Sequence, residues 1–435
     1  MERTAKSEAR EVSRSVTIKV IAITFVLILV STPSAQAQAF TILHSFTGGA
    51  DGATPMAGVI RDGAGNLYGT ASAGGAGYGT AYKLAQRGSG WVFTPLYSFQ
   101  GGTDGAQPMG ALAFGPDGSL YGATYAGGTP GACYPLSGCG TVFNLKPRPS
   151  RPSSVFSPWV ETVLHRFNLG YGDGVLPYSE VTFDAAGDLY GTASASGGGA
   201  CDGVNCGGCD FCGIVYKMMP SGGSWTYSVF QRFLNWDNGA TPIAGLVTDQ
   251  AGNLYGANST GGLCGYGMLF RVPALQNLYT FCGYQGDGAD PSGSLIIDAS
   301  GTIYGGTPGA LPGYGTAKGS IFSLTSGTWI FTVLHNFDDG AGPTAALTMD
   351  AAGNLYGSTF YGGNTLDSCA PYGCGTVFKL APSGGEWIYT ELYRFSGSDG
   401  QNPNSKVIID SNGNLYGTAS AGGASSKGVV WEITP

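Results

Sequence analysis

The sequence predicts an all-β fold, a seven-bladed β-propeller of four-stranded antiparallel blades closed by the N-terminal strand completing the last blade. Three observations predict it. A unit centred on an aliphatic-Tyr-Gly triplet recurs seven times, at Tyr68, Tyr121, Tyr190, Tyr255, Tyr304, Tyr356 and Tyr416, with successive tyrosines 49 to 69 residues apart. Each unit divides into four short apolar runs separated by glycine-rich turns. The chain also begins with a lone fourth run, residues 40–46 (FTILHSF), and ends on a lone third run, residues 428–433 (GVVWEI). The two orphans complete one blade, which removes the unpaired edges an open array would carry. This is why NLYGTASAGG is written at residues 66–75 and again at 414–423: both copies belong to one repeating unit. A linear, capped solenoid is the other arrangement such repeats allow, but it has no need of complementary missing strands.

Within a unit the first strand runs from small residues to apolar ones, as in residues 57–61 (AGVIR) or 405–409 (SKVII). A D-x-x-G turn follows, opened by Asp62, Asp184, Asp249, Asp298, Asp350 and Asp410; the second unit alone places Gly115 there. Asp bonds the backbone just ahead of it and Gly accepts positive φ, so the pair makes a tight hairpin. The second strand is N-L-Y-G-T, and the third follows a glycine-rich loop, as in residues 375–380 (GTVFKL). The fourth ends in L-[HY]-x-F, from Leu96 to Phe99 or Leu392 to Phe395. Adjacent apolar residues such as Leu67 and Tyr68 point to opposite faces of a strand, so both faces of every small sheet are buried. No stretch of the mature chain carries helical periodicity.

Composition sets outer bounds. Of 435 residues, 76 are Gly and only 11% are charged, which invites a reading as a disordered polymer; yet 43% are hydrophobic, enough for a core, and the glycines recur in register. A net charge of −8 leaves no basic stripe for phosphates and excludes nucleic acid as an expected partner.

Residues 1–37 read as a secretory signal peptide: Arg10, Arg14 and Lys19 precede the apolar run 20–30 (VIAITFVLILV), with small residues at Ala35 and Ala37 for cleavage. An uncleaved anchor helix is the other reading, but eleven apolar residues span only about half of a ~30 Å hydrocarbon layer. The expected mature protein is thus a single propeller domain over 38–435, secreted or held at the cell surface or in the periplasm, monomeric, and free of the membrane. Ten cysteines suit such a compartment. Cys133 and Cys139 bracket one loop, Cys369 and Cys374 another, and Cys264 and Cys282 join a unit to its own fourth-strand end. Cys201, Cys206, Cys209 and Cys212 read as further disulfides, with a thiolate metal site as the alternative; no metal or other cofactor is expected.

The recurring L-Y-G-T, G-T-V-F-K-L and L-Y-S-F with D-G-x-x-P resemble the Gloeobacter/Verrucomicrobia (GloVer) tandem repeat of exported bacterial choice-of-anchor tandem repeat proteins. The resemblance covers essentially the whole mature chain and implies export and repeat architecture. It implies no catalytic residues. Relatives append an anchoring tail, whereas Pro435 lies two residues past the last strand, so release, or retention by other means, is expected.

Chemistry-bearing residues are few. His44, His165 and His335 all occupy the second position of L-[HY]-x-F, where other units carry Tyr97, Tyr279, Tyr393 or Gln231; a site filled by any of these serves packing with a polar tip. D-G-x-x-P recurs between units, with Asp51, Asp104, Asp173, Asp287, Asp339 and Asp399, and is turn chemistry before it is a Ca²⁺ or sugar site. Departures from the repeat say more. Where first strands carry small residues to crowd an axis, two units place Glu180 and Lys406, which read as a channel-mouth pair, either a structural ion pair or ligand contacts. The three long cysteine-bearing insertions fall in second-to-third-strand loops on the D-G-x-x-P face, bringing Tyr134, Phe211, Phe360, Tyr361 and Tyr372 as candidate stacking residues. The functional expectation is a non-catalytic binding or surface-interaction propeller, its ligand an extracellular glycan or another cell-surface polymer, with a polysaccharide hydrolase or lyase at the channel mouth as the alternative.

Overall fold

In the computed structural model, which describes residues 38–435 apart from residues 89, 132, 134–136, 149–158, 170–172, 197–211, 234–235, 285, 310–317, 338–340, 364–368 and 370, seven four-stranded antiparallel sheets form a seven-bladed β-propeller. Blades 1 to 7 take their numbers from their second strands: Leu67–Ala71, Leu120–Thr124, Leu189–Ala193, Leu254–Asn258, Ile303–Thr307, Leu355–Thr359 and Leu415–Ala419. The last blade is completed from the other end of the chain. Strand Ala39–Ser45 pairs antiparallel with Val429–Thr434, in a register running from Ala39 opposite Thr434 to Ser45 opposite Val429. The ring is therefore closed by the strand expected to close it.

The repeated motif is explained by what stands beside its glycine. A Cβ on the Gly of each aliphatic-Tyr-Gly triplet would lie 2.3–2.7 Å from an aromatic ring of the third strand, Tyr82 over Gly69 and Trp431 over Gly417 among them. The ring of G-T-V-F thus lies on a bare stretch of the neighbouring strand, and each core fills between blades as well as within them: Phe46, Val59, Tyr82, Tyr416 and Val430 share one cluster. The tyrosine hydroxyl has a separate task. Tyr68 donates to Asp62 at 3.0 Å, Tyr190 to Asp184 at 3.1 Å and Tyr356 to Asp350 at 3.0 Å, so the D-x-x-G turn is tied to the strand it leads into. Burial pushes the Asp62 carboxyl up, but hydrogen bonds from Asn66, Tyr68 and Ala64 outweigh it and hold the group below the ordinary carboxylate range. In blade 2, which has Gly115 in place of Asp, Asp117 lies 3.5 Å from the Tyr121 hydroxyl and pairs with Lys146 at 2.9 Å.

Blades are latched to one another by two further repeated contacts. The proline of D-G-x-x-P packs on the glycine opening the preceding blade's third strand, so tightly that a Cβ there would lie 2.3–2.7 Å from the ring at Gly79, Gly140, Gly213, Gly267, Gly375 and Gly428. At Gly428 the proline is Pro55, and this contact joins blade 7 to blade 1. The threonine of L-Y-G-T donates to a first-strand carbonyl of the next blade: Thr70 to Gly110, Thr192 to Ala244 and, across the closure, Thr418 to Ala57 at 2.9 Å. Thr418→Val keeps the shape but leaves a carbonyl unanswered at the closure. It is expected to cost about 1–3 kcal/mol, read as a lower urea midpoint with unchanged slope.

One expectation needs correction. First strands are shorter than the sequence suggests, with regular pairing over two residues each, as at Ile60–Arg61. Their preceding residues bond to neighbouring blades and line the axis instead. Among the described residues the one helical element is a three-residue 3-10 turn, Trp236–Asn238, so the all-β expectation holds.

Candidate functional site

The D-G-x-x-P connection sets the geometry of one face of the wheel. The residue before the proline is held at positive φ in six blades, at Thr54, Gln107, Leu176, Thr241, Asp290 and Asn402, between 54° and 60°. This conformation costs a non-glycine residue about 1–2 kcal/mol. It is held in place from outside: in five blades that residue's N–H donates to the preceding blade, Thr54 to Lys427 at 2.8 Å, Leu176 to Cys139 at 2.8 Å and Asn402 to Cys374 at 2.9 Å among them. The cysteines before G-T-V-F are thus part of the interblade latch. Cys133–Cys139, Cys264–Cys282 and Cys369–Cys374 are closed disulfides, and Cys212 is disulfide-bonded as well. Cys201, Cys206 and Cys209 lie outside the described residues. Closed disulfides are the chemistry of an extracytoplasmic compartment.

The described aspartates of D-G-x-x-P bond within their own turns, Asp339 lying outside the described residues. Asp51 accepts from the Thr47 amide at 2.8 Å and meets His44 Nε2 at 3.1 Å; Asp104 accepts from Tyr97 at 2.9 Å, and Asp399 from Tyr393 at 2.6 Å. His and Tyr interchange at L-[HY]-x-F because each presents a ring to pack and a polar atom to this carboxylate. His44 is shifted down by burial against the opposing pull of Asp51. Among the described residues no group of three or more His, Cys, Asp or Glu gathers as metal ligands would.

Past the proline, the segments leading into all seven first strands line a common axial cavity of about 200 Å³. Its first layer divides by character. Blades 1 to 4 present Met56, Met109, Tyr178 and Ile243, whereas blades 5 to 7 present Ser292, Thr344 and Asn404. The polar arc is internally bonded: Ser292 donates to the Thr344 carbonyl at 3.1 Å and Thr344 to Asn404 Oδ1 at 2.5 Å. Tyr178 meets Tyr125 edge to face at 6.0 Å, and burial raises its hydroxyl above the ordinary range, keeping it a neutral donor.

The layer below holds both expected charges. Glu180 and Lys406 line this cavity, as the alternation of the first strand requires. They do not form an ion pair. Glu180 instead reaches over blade 4, where Gly245 leaves it room, and Oε1 accepts from Ser294 of blade 5 at 2.6 Å; Ser294 Oγ in turn accepts from the Gly245 amide at 2.8 Å. The Lys406 side chain meets no acceptor among the described residues.

The stacking candidates are dispersed. Tyr361 and Phe360 line a second cavity of about 220 Å³, with Asp290, whose half-buried carboxyl is pushed up by burial. Tyr372 stands 5.5 Å from Tyr361 and is exposed. Tyr134 and Phe211 lie outside the described residues. Sequence reasoning missed Tyr178, Ser294, Thr344 and Asn404, although counting back two residues from Glu180, Ser294 and Lys406 along an alternating strand reaches the first layer at Tyr178, Ser292 and Asn404.

The sequence profile of the Gloeobacter/Verrucomicrobia repeat matches residues 29–205 and again 196–369. The chain belongs to that repeat family. No match was found among curated proteins. Among solved structures, the extracellular domain of a B. thetaiotaomicron protein assigned as a putative one component system aligns over 90% of this chain at 11% identity with a TM-score of 0.52; this repeat-family chain spans 40% of that domain's length. A fungal alcohol oxidase of the AA5 family, solved with copper, aligns over 92% of this chain and 76% of its own at 17% identity and a TM-score of 0.48. The periplasmic gluconolactonase of Pseudomonas aeruginosa aligns over 87% of this chain and 95% of its own at 16% identity and a TM-score of 0.47. The first of these is a likeness of fold alone.

Proposed function

We propose that this protein is an exported, monomeric, non-catalytic propeller that binds extracellular carbohydrate at its axial cavity. The observation that carries the reading is the division of the cavity wall into an apolar arc from blades 1 to 4 and an arc of hydroxyl and amide groups from blades 5 to 7. A pyranose ring has the same division, with C–H faces and a hydroxyl edge, and small-ligand sites combine an apolar lining with a few placed polar groups. The hydrolase reading has less support. Glycoside hydrolysis in its usual form needs two carboxyl groups across the scissile bond, whereas Glu180 is the one acid of this lining and is already held by Ser294. The test is a glycan array probed with purified protein spanning residues 38–435, with reducing-sugar release assayed in parallel. Binding without release is the expected result; sugar release that is lost in Glu180→Gln would replace this reading with the hydrolase.

A further inference from the structure

The two charges of the axial cavity are not used on each other, and this narrows the ligand. Lys406 projects from blade 7 next to the polar arc, and its ammonium has no acceptor among the described residues, while Glu180 is turned toward blade 5 and held there by Ser294. A cation left unanswered at the wall of a small, partly apolar cavity favours an anion there, because the charge pair strengthens as the ligand excludes water. The remaining groups ask for something other than a second charge. The Ser292 and Thr344 hydroxyls each donate within the wall, leaving their oxygens as acceptors, and Asn404 accepts from Thr344 through Oδ1, leaving its Nδ2 hydrogens to donate. Glu180 keeps Oε2 as a further acceptor. The wall thus offers one cation, two neutral donor groups in the Asn404 amide and the Tyr178 hydroxyl, and several acceptors suited to hydroxyl hydrogens.

Resting on the carbohydrate reading above, we propose that the axial cavity takes one acidic sugar unit, a hexuronate, with its carboxylate on Lys406, its hydroxyls along Ser292, Thr344, Asn404 and Glu180, and an apolar ring face against Met56 and Tyr178. The cavity volume of about 200 Å³ has room for a single such ring, so the unit enters as a chain end or a free sugar. Neutral hexoses leave the Lys406 ammonium unpaired, and amino sugars bring a second cation to it. An α-amino acid satisfies both charges but leaves the hydroxyl and amide arc without partners.

Titration calorimetry of the protein spanning residues 38–435 with glucuronate, galacturonate, glucose, glucosamine and alanine tests this, with Lys406→Met and Lys406→Arg as variants. Lys406 is exposed, so both variants are expected to fold, which a thermal melt checks. The expected result is uronate binding at least tenfold tighter than glucose, a tenfold or greater loss of uronate affinity in Lys406→Met that exceeds any change in glucose affinity, and recovery in Lys406→Arg. Glucose binding as tightly as glucuronate overturns the acidic-sugar inference and leaves the carbohydrate reading standing. No sugar binding, or binding of alanine alone, overturns both.

Discussion

Removing residues 39–46 is expected to abolish cooperative folding of the propeller. That segment is a single strand in sequence but touches both its neighbours in the ring. Phe40 stacks on Tyr393 of blade 6 at 3.9 Å, while His44 stacks on Phe93 of blade 1 at 4.0 Å and Phe46 packs against Tyr82 at 5.3 Å. Phe46 is fully buried, and its burial alone contributes about 2–3 kcal/mol. Taken with Phe40, Leu43 and the ladder to Val429–Thr434, the loss is comparable with the whole stability of an ordinary domain, about 5–15 kcal/mol. It also bares the edge of Val429–Thr434, a template for pairing with other chains. A melting curve with size-exclusion chromatography gives the readout: a broad, early transition and soluble aggregates are expected. A monomer melting at the parent temperature would show that the ring does not depend on this latch.

The ring closure was legible in the sequence because both orphan strands keep their motif: 40–46 still ends in L-H-x-F and 428–433 still begins with glycine. The cysteine staples around 133–139 and 369–374 were legible for the same reason, as each sits before a recognisable strand. Contacts between motifs were not. L-[HY]-x-F and D-G-x-x-P read as two separate motifs, one for packing and one for turning, and nothing along the chain says that His44 meets Asp51 or that Tyr97 donates to Asp104. Nor does the spacing of the repeats say that Pro55 lies on Gly428. The candidate site shows the same limit. Glu180 and Lys406 line one cavity, but whether they form an ion pair or stay open to ligand depended on direction within the ring. The bare Cα of Gly245 lets Glu180 turn toward Ser294, which is 114 residues away in sequence. Similarity among repeats reveals the wheel; the chemistry lies where single residues break that similarity, and the partner of Glu180 is two blades distant.

Glu161 is such a break, and it leads to the second large effect. In five interblade contacts the ring at L-[HY]-x-F stacks on an aromatic residue of the next blade, as His165 does on Tyr227 at 3.7 Å and Tyr279 on Phe331 at 3.8 Å. Between blades 1 and 2 the position of that aromatic is taken by Glu161, on strand Trp159–Arg166, and Oε1 is buried with no hydrogen-bond partner among the described residues. Burial pushes its carboxyl up to about 8, the nearby Asp104 adds to the shift and Arg166 opposes it. The sign follows from linkage. The folded state keeps the proton that the unfolded chain releases near 4.5, so the stability linked to this group is intact below 4.5, falls as the pH rises, and is lost above about 8. The full gap corresponds to at most about 5 kcal/mol, and partial exposure reduces it to about 2–3 kcal/mol. Glu161→Gln is therefore expected to match the parent at pH 4 and to exceed it in urea stability by that amount at pH 9. Glu161→Phe, which restores a ring opposite Tyr97, should exceed the parent at both. Parallel stability profiles for parent and Glu161→Gln between pH 4 and 9 would mean that the carboxyl is already ionised in the folded protein, and that Arg166, not protonation, answers its charge.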